Sequence, residues 1–167
     1  MSSGQIADAC RFLSGGDAEV EIWERLWERH SDNAEQRLGY DILQTPHHCS
    51  WHSLSNDSWS EMGEDAKVCE DARSALGQPR AGATIVASSK TIKDDDSDPP
   101  CIRAKREYKS ILKDVDGDFI CVADEGGEPV EFEVKAGGLE RLKKAAARTA
   151  ATLSAPLIIG ARPVKHG

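Results

Sequence analysis

The sequence predicts a single α/β domain in which parallel strands alternate with helices. Three short apolar segments, at residues 10–14, 40–43 and 83–87, have the length and composition of buried strands. A helical pattern occupies the stretch between the first two, as a parallel strand–helix–strand unit requires. The total of 167 residues suits one ordinary domain with a tail.

The first helix is predicted over residues 18–30, after a turn at Gly15–Gly16. Its apolar residues recur at spacings of three and four, while the opposite face carries glutamates and arginine. The apolar stripe consists of Val20, Ile22, Trp23, Leu26 and Trp27. Asp17 stands at the predicted N-cap position, where a carboxylate can accept from free backbone N–H groups.

Further along the chain, helices are predicted over residues 70–76 and 104–112, on either side of the third strand. Two apolar runs, 119–122 and 130–134, flank a DEGGEP segment and predict a hairpin. We therefore divide the chain into a domain of residues 1–135 and a C-terminal segment of residues 136–167. That segment is predicted to begin as a basic helix, Leu139–Arg148, and to continue as a flexible Ala-rich tail.

The composition limits the classes of function. A net charge of −8 argues against a broad nucleic-acid surface but leaves room for a narrow site that reaches a phosphate through metal ions. The sequence shows no secretory signal and no apolar run of about 18 residues, so we expect a cytoplasmic protein that does not bind membranes. Five scattered cysteines without a CxxC pair predict reduced, partly buried thiols, with Cys49 of interest because it follows two histidines.

Residues of the kind that bind metals follow each of the three strands. Asp17 follows the first, His47 and His48 follow the second, and an acidic run that ends in Asp98 follows the third. Imidazole nitrogen and carboxylate oxygen are the ligands of divalent hydrolytic centres. Each also has a simpler interpretation: a helix cap, a surface histidine pair, and a solvated acidic loop. His52 and Ser50 are expected only to form hydrogen bonds within their own loop.

Three segments carry a resemblance to a known family: FLSGGDAEVEIWERL at 12–26, DILQTPHHCSWHSLS at 41–55 and TIVASSK at 84–90. In this order they resemble the C-terminal half of metallo-β-lactamase-fold hydrolases, and most of all the ComEC-like branch. That branch has a Gly-Asp-Ala corner, a His-His-Gly-Ser loop and a Ser-Ser-Gly strand end. The similarity covers about residues 8 to 112.

This resemblance implies a fold and a site. The chain would supply one sheet and the outer helices of a four-layered αββα sandwich. Asp17 would match the aspartate that bridges two metal ions, zinc or manganese. His47 and His48 would match the histidine pair that lines the metal centre or contacts the substrate, which is a phosphodiester in this branch.

The chain departs from the family pattern at three places. The HxHxDH motif, which supplies most ligands of the first metal, does not occur in the sequence. Cys49 replaces the glycine of the histidine loop, and DSDPPC replaces the late His-Pro, so that Asp98 would stand in for the third ligand. We therefore expect no hydrolase activity from this chain alone, and expect it to pair with an N-terminal half or with itself through its inner sheet face.

Two other interpretations remain open at this point. The chain can be a degenerate, non-catalytic domain that serves as an interaction module, which the missing motif favours. It can also be a small α/β domain that resembles the family by accident. An adjacent reading frame that encodes HxHxDH would favour the hydrolase.

Overall fold

The computed structural model describes residues 10–135 and 138–142. A four-stranded parallel sheet forms its centre, with the strands in sequential order. The strands are β1 (Phe12–Ser14), β2 (Tyr40–Gln44), β3 (Pro79–Ala87) and β4 (Asp118–Cys121). The predicted α/β class with parallel strands is confirmed.

Helices occupy every connection between the strands of this sheet. They are α1 (Val20–His30), α2 (Ala34–Leu38), α3 (Trp59–Met62), α4 (Glu70–Leu76) and α5 (Ile102–Leu112). The short helices α2 and α3 lie in segments for which no helix is predicted from the sequence. Because crossovers between adjacent parallel strands are right-handed, strands in sequential order place their helices on one face of the sheet.

The core lies between this face and the helices. Leu43 of β2 and Ile85 of β3 are fully buried together with Trp23 of α1 and Leu76 of α4. The Tyr40 hydroxyl donates a hydrogen bond of 2.8 Å to the Leu76 carbonyl and so ties β2 to the end of α4. Burial raises the pKa of Tyr40, which keeps its hydroxyl neutral as a donor.

Among the residues that the structure describes, no helix is placed on the opposite face of the sheet, although Thr84 of β3 is buried there. Side chains alternate along a strand, so the neighbours of Leu43 and Ile85, namely Ile42 and Thr84, project from this second face. The register places Phe12 of β1 beside Ile42. Phe12 is 63% exposed and Ile42 is half-buried, so an apolar edge remains open to solvent at β1.

The start of α1 differs from the prediction. Glu19, rather than Asp17, is the N-cap residue, and it makes no side-chain capping bond. A turn comes first, in which Ala18 N–H donates to the Gly15 carbonyl at 3.0 Å, and this turn moves Asp17 out of the capping position. Ile22 is 44% exposed and so does not belong to the buried stripe.

The predicted hairpin of residues 119–122 and 130–134 is wrong. The first of these segments is β4, which pairs in parallel with β3. A separate antiparallel hairpin is formed by β5 (Phe132–Lys135) and β6 (Gly138–Arg141). Ile120 and Cys121 of β4 are adjacent and both buried, as in a strand that is covered on both faces.

Strand β6 also replaces the first residues of the predicted basic helix Leu139–Arg148. The remainder of that helix and the Ala-rich tail lie outside the described residues. Cys10, Cys49, Cys69, Cys101 and Cys121 are free thiols that are buried or half-buried, as predicted. Within residues 10–135 and 138–142, no helix combines the length and the apolar character needed to cross a membrane.

We predict that Trp23→Ala lowers the free energy of unfolding by about 3–5 kcal/mol, because it empties a fully buried site. Trp27→Ala, on the same helix, should cost less than half of this, since Trp27 is only partly buried. Urea denaturation of the two variants measures the difference. Equal losses would contradict the packing described for α1.

Candidate functional site

The loop that follows β2 is joined to the end of β1 and to the end of β3. Thr45 N–H donates to the Val86 carbonyl at 2.9 Å, and His47 N–H donates to the Gly16 carbonyl at 2.8 Å. The His48 Nδ1 atom lies 2.7 Å from the Ser88 carbonyl. The histidine pair therefore meets both neighbouring strand ends at the carboxyl edge of the sheet, where sites collect in α/β folds.

The backbone of this loop adopts an uncommon conformation. His47, His48 and Cys49 have φ values of 46°, 54° and 69°, all in the left-handed region. Such a conformation costs about 1–2 kcal/mol for each residue that is not glycine, and it persists only where surrounding contacts enforce it. Cys49, which stands where the resembled family has glycine, thus has a φ value typical of glycine. Three consecutive residues with positive φ are typical of a loop with a functional role.

The two imidazoles differ in their surroundings. His48 is exposed, and a carbonyl can only accept, so Nδ1 carries the proton in the neutral ring and Nε2 keeps its lone pair. Nε2 is then available to bind a cation. His47 is half-buried, and its buried Nδ1 has no hydrogen-bond partner among the described residues.

Cys49 lies beside the histidines but is not suited to be a ligand. Its side chain is fully buried, and burial raises the pKa of the thiol well above its ordinary value. A thiol binds metal as the thiolate, which this environment disfavours. The Cys49 carbonyl instead accepts a hydrogen bond of 2.9 Å from Cys101 N–H and so helps to hold the loop.

The acidic run after β3 divides into two groups. Asp94 pairs with Arg106 of α5 at 3.0 Å and ties the loop to that helix, whereas Asp95 accepts from Ser97 N–H at 3.0 Å within the loop. Asp98 alone of these residues makes a hydrogen bond to the histidine loop, because its Oδ1 accepts from Trp51 N–H at 3.0 Å.

The surroundings of the second carboxylate oxygen of Asp98 were not predicted from the sequence. Oδ2 is buried and has no hydrogen-bond partner among the described residues. The His52 Nε2 atom lies 3.9 Å from Oδ2. His52 is expected from the sequence to bond only within its own loop, and no spacing in the sequence signals that residues 46 positions apart meet here.

Asp17 lies at the same edge but apart from these contacts. Its side chain is exposed, and it follows Gly16, the residue that accepts from His47 N–H. The β1 corner is therefore attached to the histidine loop through the backbone.

A cavity of about 620 Å³ opens beside His48. Ser89 and Lys90 line one part of it, and Pro99 and Pro100 line another. Hydroxyl and ammonium groups suit an anion, whereas the prolines offer an apolar surface. The cavity thus suits a ligand that has both an anionic and an apolar part.

The chemistry of the donors fits zinc, but their number falls short. Imidazole and carboxylate are zinc ligands, and a catalytic zinc takes three of them from the protein. In the part of the chain that the structure describes, no three His, Cys, Asp or Glu side chains lie close enough together to hold a metal ion. Asp17, His47, His48 and Asp98 share one edge without forming a complete centre by themselves.

Comparisons with protein families and with solved structures find no family and no structure that matches this chain. The relationship to metallo-β-lactamase-fold hydrolases therefore stays a prediction.

We predict that Asp98→Ala lowers the free energy of unfolding by about 1–3 kcal/mol, because it leaves the Trp51 N–H without its acceptor. Asp98→Asn keeps an oxygen in that place and should cost less. Thermal or urea denaturation distinguishes the two variants. A fully stable Asp98→Ala protein would show that this contact does not hold the loop.

Proposed function

We propose that this chain is the C-terminal half of a metal-dependent hydrolase of the metallo-β-lactamase superfamily. An N-terminal half that carries HxHxDH, from another segment or polypeptide, would complete it. The observation that supports this most is the hydrogen bonding of the histidine loop to the β1 corner and to the β3 end. Those contacts bring the three motifs behind the resemblance to one edge of the sheet.

In the completed enzyme, Asp17 and Asp98 supply carboxylate oxygen to the metal centre, and His47 and His48 supply imidazole nitrogen. Bound zinc or manganese would supply an activated water at neutral pH. His48 would serve this centre through Nε2, because its Nδ1 is taken by the Ser88 carbonyl. This hydrogen bond orients the ring, as the outer partner of a functional histidine does.

The proposed substrate is a phosphodiester. Lys90 in the cavity beside His48 provides a cation for a phosphate oxygen. The Ser89 hydroxyl, which donates to the Lys90 carbonyl at 2.9 Å, would have to give up that hydrogen bond to donate to the phosphate. The net charge of −8 opposes a long nucleic-acid footprint, so recognition would be confined to the few groups near the scissile bond. Five free thiols suit a reducing compartment, and we place the enzyme in the cytoplasm.

The open sheet face is the proposed docking surface for the N-terminal half. Phe12 is 63% exposed at its edge and stands beside Ile42. When that half is absent, a second copy of the chain would cover the same apolar edge, because burying it removes apolar area from water.

We therefore expect the purified chain to dimerise at micromolar concentration and Phe12→Asp to shift it to the monomer. Ile22→Asp is the matched control, since Ile22 is 44% exposed but lies on α1. Light scattering coupled to size exclusion gives the mass. A dimer that Ile22→Asp breaks and Phe12→Asp leaves intact would place the contact elsewhere.

The hydrolase proposal is tested by complementation. We expect the chain alone to leave bis(p-nitrophenyl) phosphate intact in the presence of Zn²⁺ or Mn²⁺. Co-expression with a polypeptide that carries HxHxDH, taken from an adjacent reading frame, should produce hydrolysis. Asp17→Asn and His48→Gln should abolish that activity, whereas His30→Gln, on α1, should retain it. An inactive but stably assembled pair would refute the proposal.

A non-catalytic interaction module is the second candidate. The described residues hold no three potential metal ligands together, while they do present an open apolar edge. In this case the sheet face would bind a protein partner, and the histidine loop would have only a structural role. Activity in the complementation experiment would exclude it.

A further inference from the structure

We infer that Asp98 and His52 together bind a divalent cation of the zinc type, which makes His52 a ligand that the proposed site does not otherwise contain. This inference rests on the proposed function only in placing metal at this edge of the sheet. It is carried by a buried carboxylate oxygen without a partner and by the imidazole that faces it.

The Asp98 carboxylate is held in place with one oxygen unused. Its side chain is 8% exposed, and Oδ1 is fixed by Trp51 N–H at 3.0 Å. Oδ2 is buried and has no hydrogen-bond partner in the described residues. A buried charged oxygen without a partner is costly, so this position calls for a proton donor or a cation.

Arg103, which lies against Trp51, makes no ion pair with Asp98 among those that the described residues form. Arg103 packs over the Trp51 ring at 5.6 Å, and its guanidinium is paired with Glu64 at 3.3 Å and with Glu107 at 3.5 Å. Its two terminal nitrogens are therefore directed toward Glu107 of α5 and toward Glu64, which lies between α3 and α4, and its Nε is buried without a hydrogen-bond partner among the described residues. His52, by contrast, lies near Oδ2.

The geometry of His52 suits a shared cation better than a direct hydrogen bond. Its Nε2 lies 3.9 Å from Asp98 Oδ2, beyond hydrogen-bond distance. Two ligand atoms on one tetrahedral zinc ion are about 3.4 Å apart, given metal–ligand distances near 2.0–2.2 Å. The His52 side chain is 45% exposed, so its ring is free to close the difference by a small rotation.

The backbone around the pair is already ordered for such a site. His52 N–H donates to Ser50 Oγ at 3.1 Å, which holds the His52 backbone. The hydrogen bond from Trp51 N–H to Oδ1 orients the carboxylate, as the outer partners of metal ligands do. Water would complete the coordination in the isolated chain.

The test is a calorimetric titration of ZnCl₂ into the full-length, untagged protein. We expect one Zn²⁺ to bind per chain. His52→Gln and Asp98→Asn should each lower the affinity for Zn²⁺ by about 10-fold or more. Asp98→Asn keeps Oδ1 for Trp51 N–H and so preserves the loop. His30→Gln is the matched control for nonspecific histidine binding, and circular dichroism verifies that each variant is folded.

Paramagnetic Mn²⁺ provides a second measurement that does not depend on affinity alone. Amide signals of residues 50–53 and 97–98 should broaden first, and His52→Gln should remove this effect.

Three outcomes would overturn the inference. If Asp17→Asn and His47→Gln weaken Zn²⁺ binding while His52→Gln does not, the ligands of the proposed hydrolase stand and His52 is excluded. If His30→Gln weakens binding as much as His52→Gln, the site is not the one described. If no Zn²⁺ binds at all, the pair is not a cation site, and the hydrolase proposal is still decided by complementation.

Discussion

The hydrogen bond from His47 N–H to the Gly16 carbonyl joins two strand ends through the backbone, and the arrangement of the site depends on it. With the Thr45–Val86 and His48–Ser88 contacts, it holds the loop after β2 against both neighbouring strands. A loop with left-handed residues would relax without such contacts, because each such residue is disfavoured by itself. The positions of the imidazoles follow from this backbone constraint.

The same arrangement places Asp17, His48 and Asp98 at one edge of the sheet, although no three possible metal ligands in the described part of the chain lie close enough together to hold an ion. The strand ends bring ligand-type side chains together, but each is engaged differently: Asp17 with solvent, His48 with a carbonyl and Asp98 with Trp51 N–H. A second layer on the open sheet face would add ligands at this edge and cover Phe12 in one step. Completion of the site and burial of the apolar edge would thus be one event.

Local sequence patterns predicted much of the fold. Helix α4 was predicted with its observed bounds, and strands β1 to β3 and helix α5 were predicted within a few residues, because their apolar periodicity is strong. The errors arose where local signals allow several structures. A glycine-rich segment before β5 suggested a hairpin, yet β4 pairs with β3, which lies more than 30 residues earlier. Aspartate often caps helices, so Asp17 was predicted as the N-cap of α1. The turn at Gly15–Ala18 instead makes the helix begin at Val20.

By itself, the sequence determined the alternation of strands and helices and the residues that follow each strand, since both depend on local periodicity and turn chemistry. The order of those residues along the chain also carried the resemblance on which the proposed function rests. Only the tertiary structure decided which side chains meet. The approach of His52 to Asp98, the burial of Asp98 Oδ2 and the exposure of Phe12 all depend on contacts between segments distant in sequence. Such contacts are set by packing of the whole domain, which no local pattern encodes.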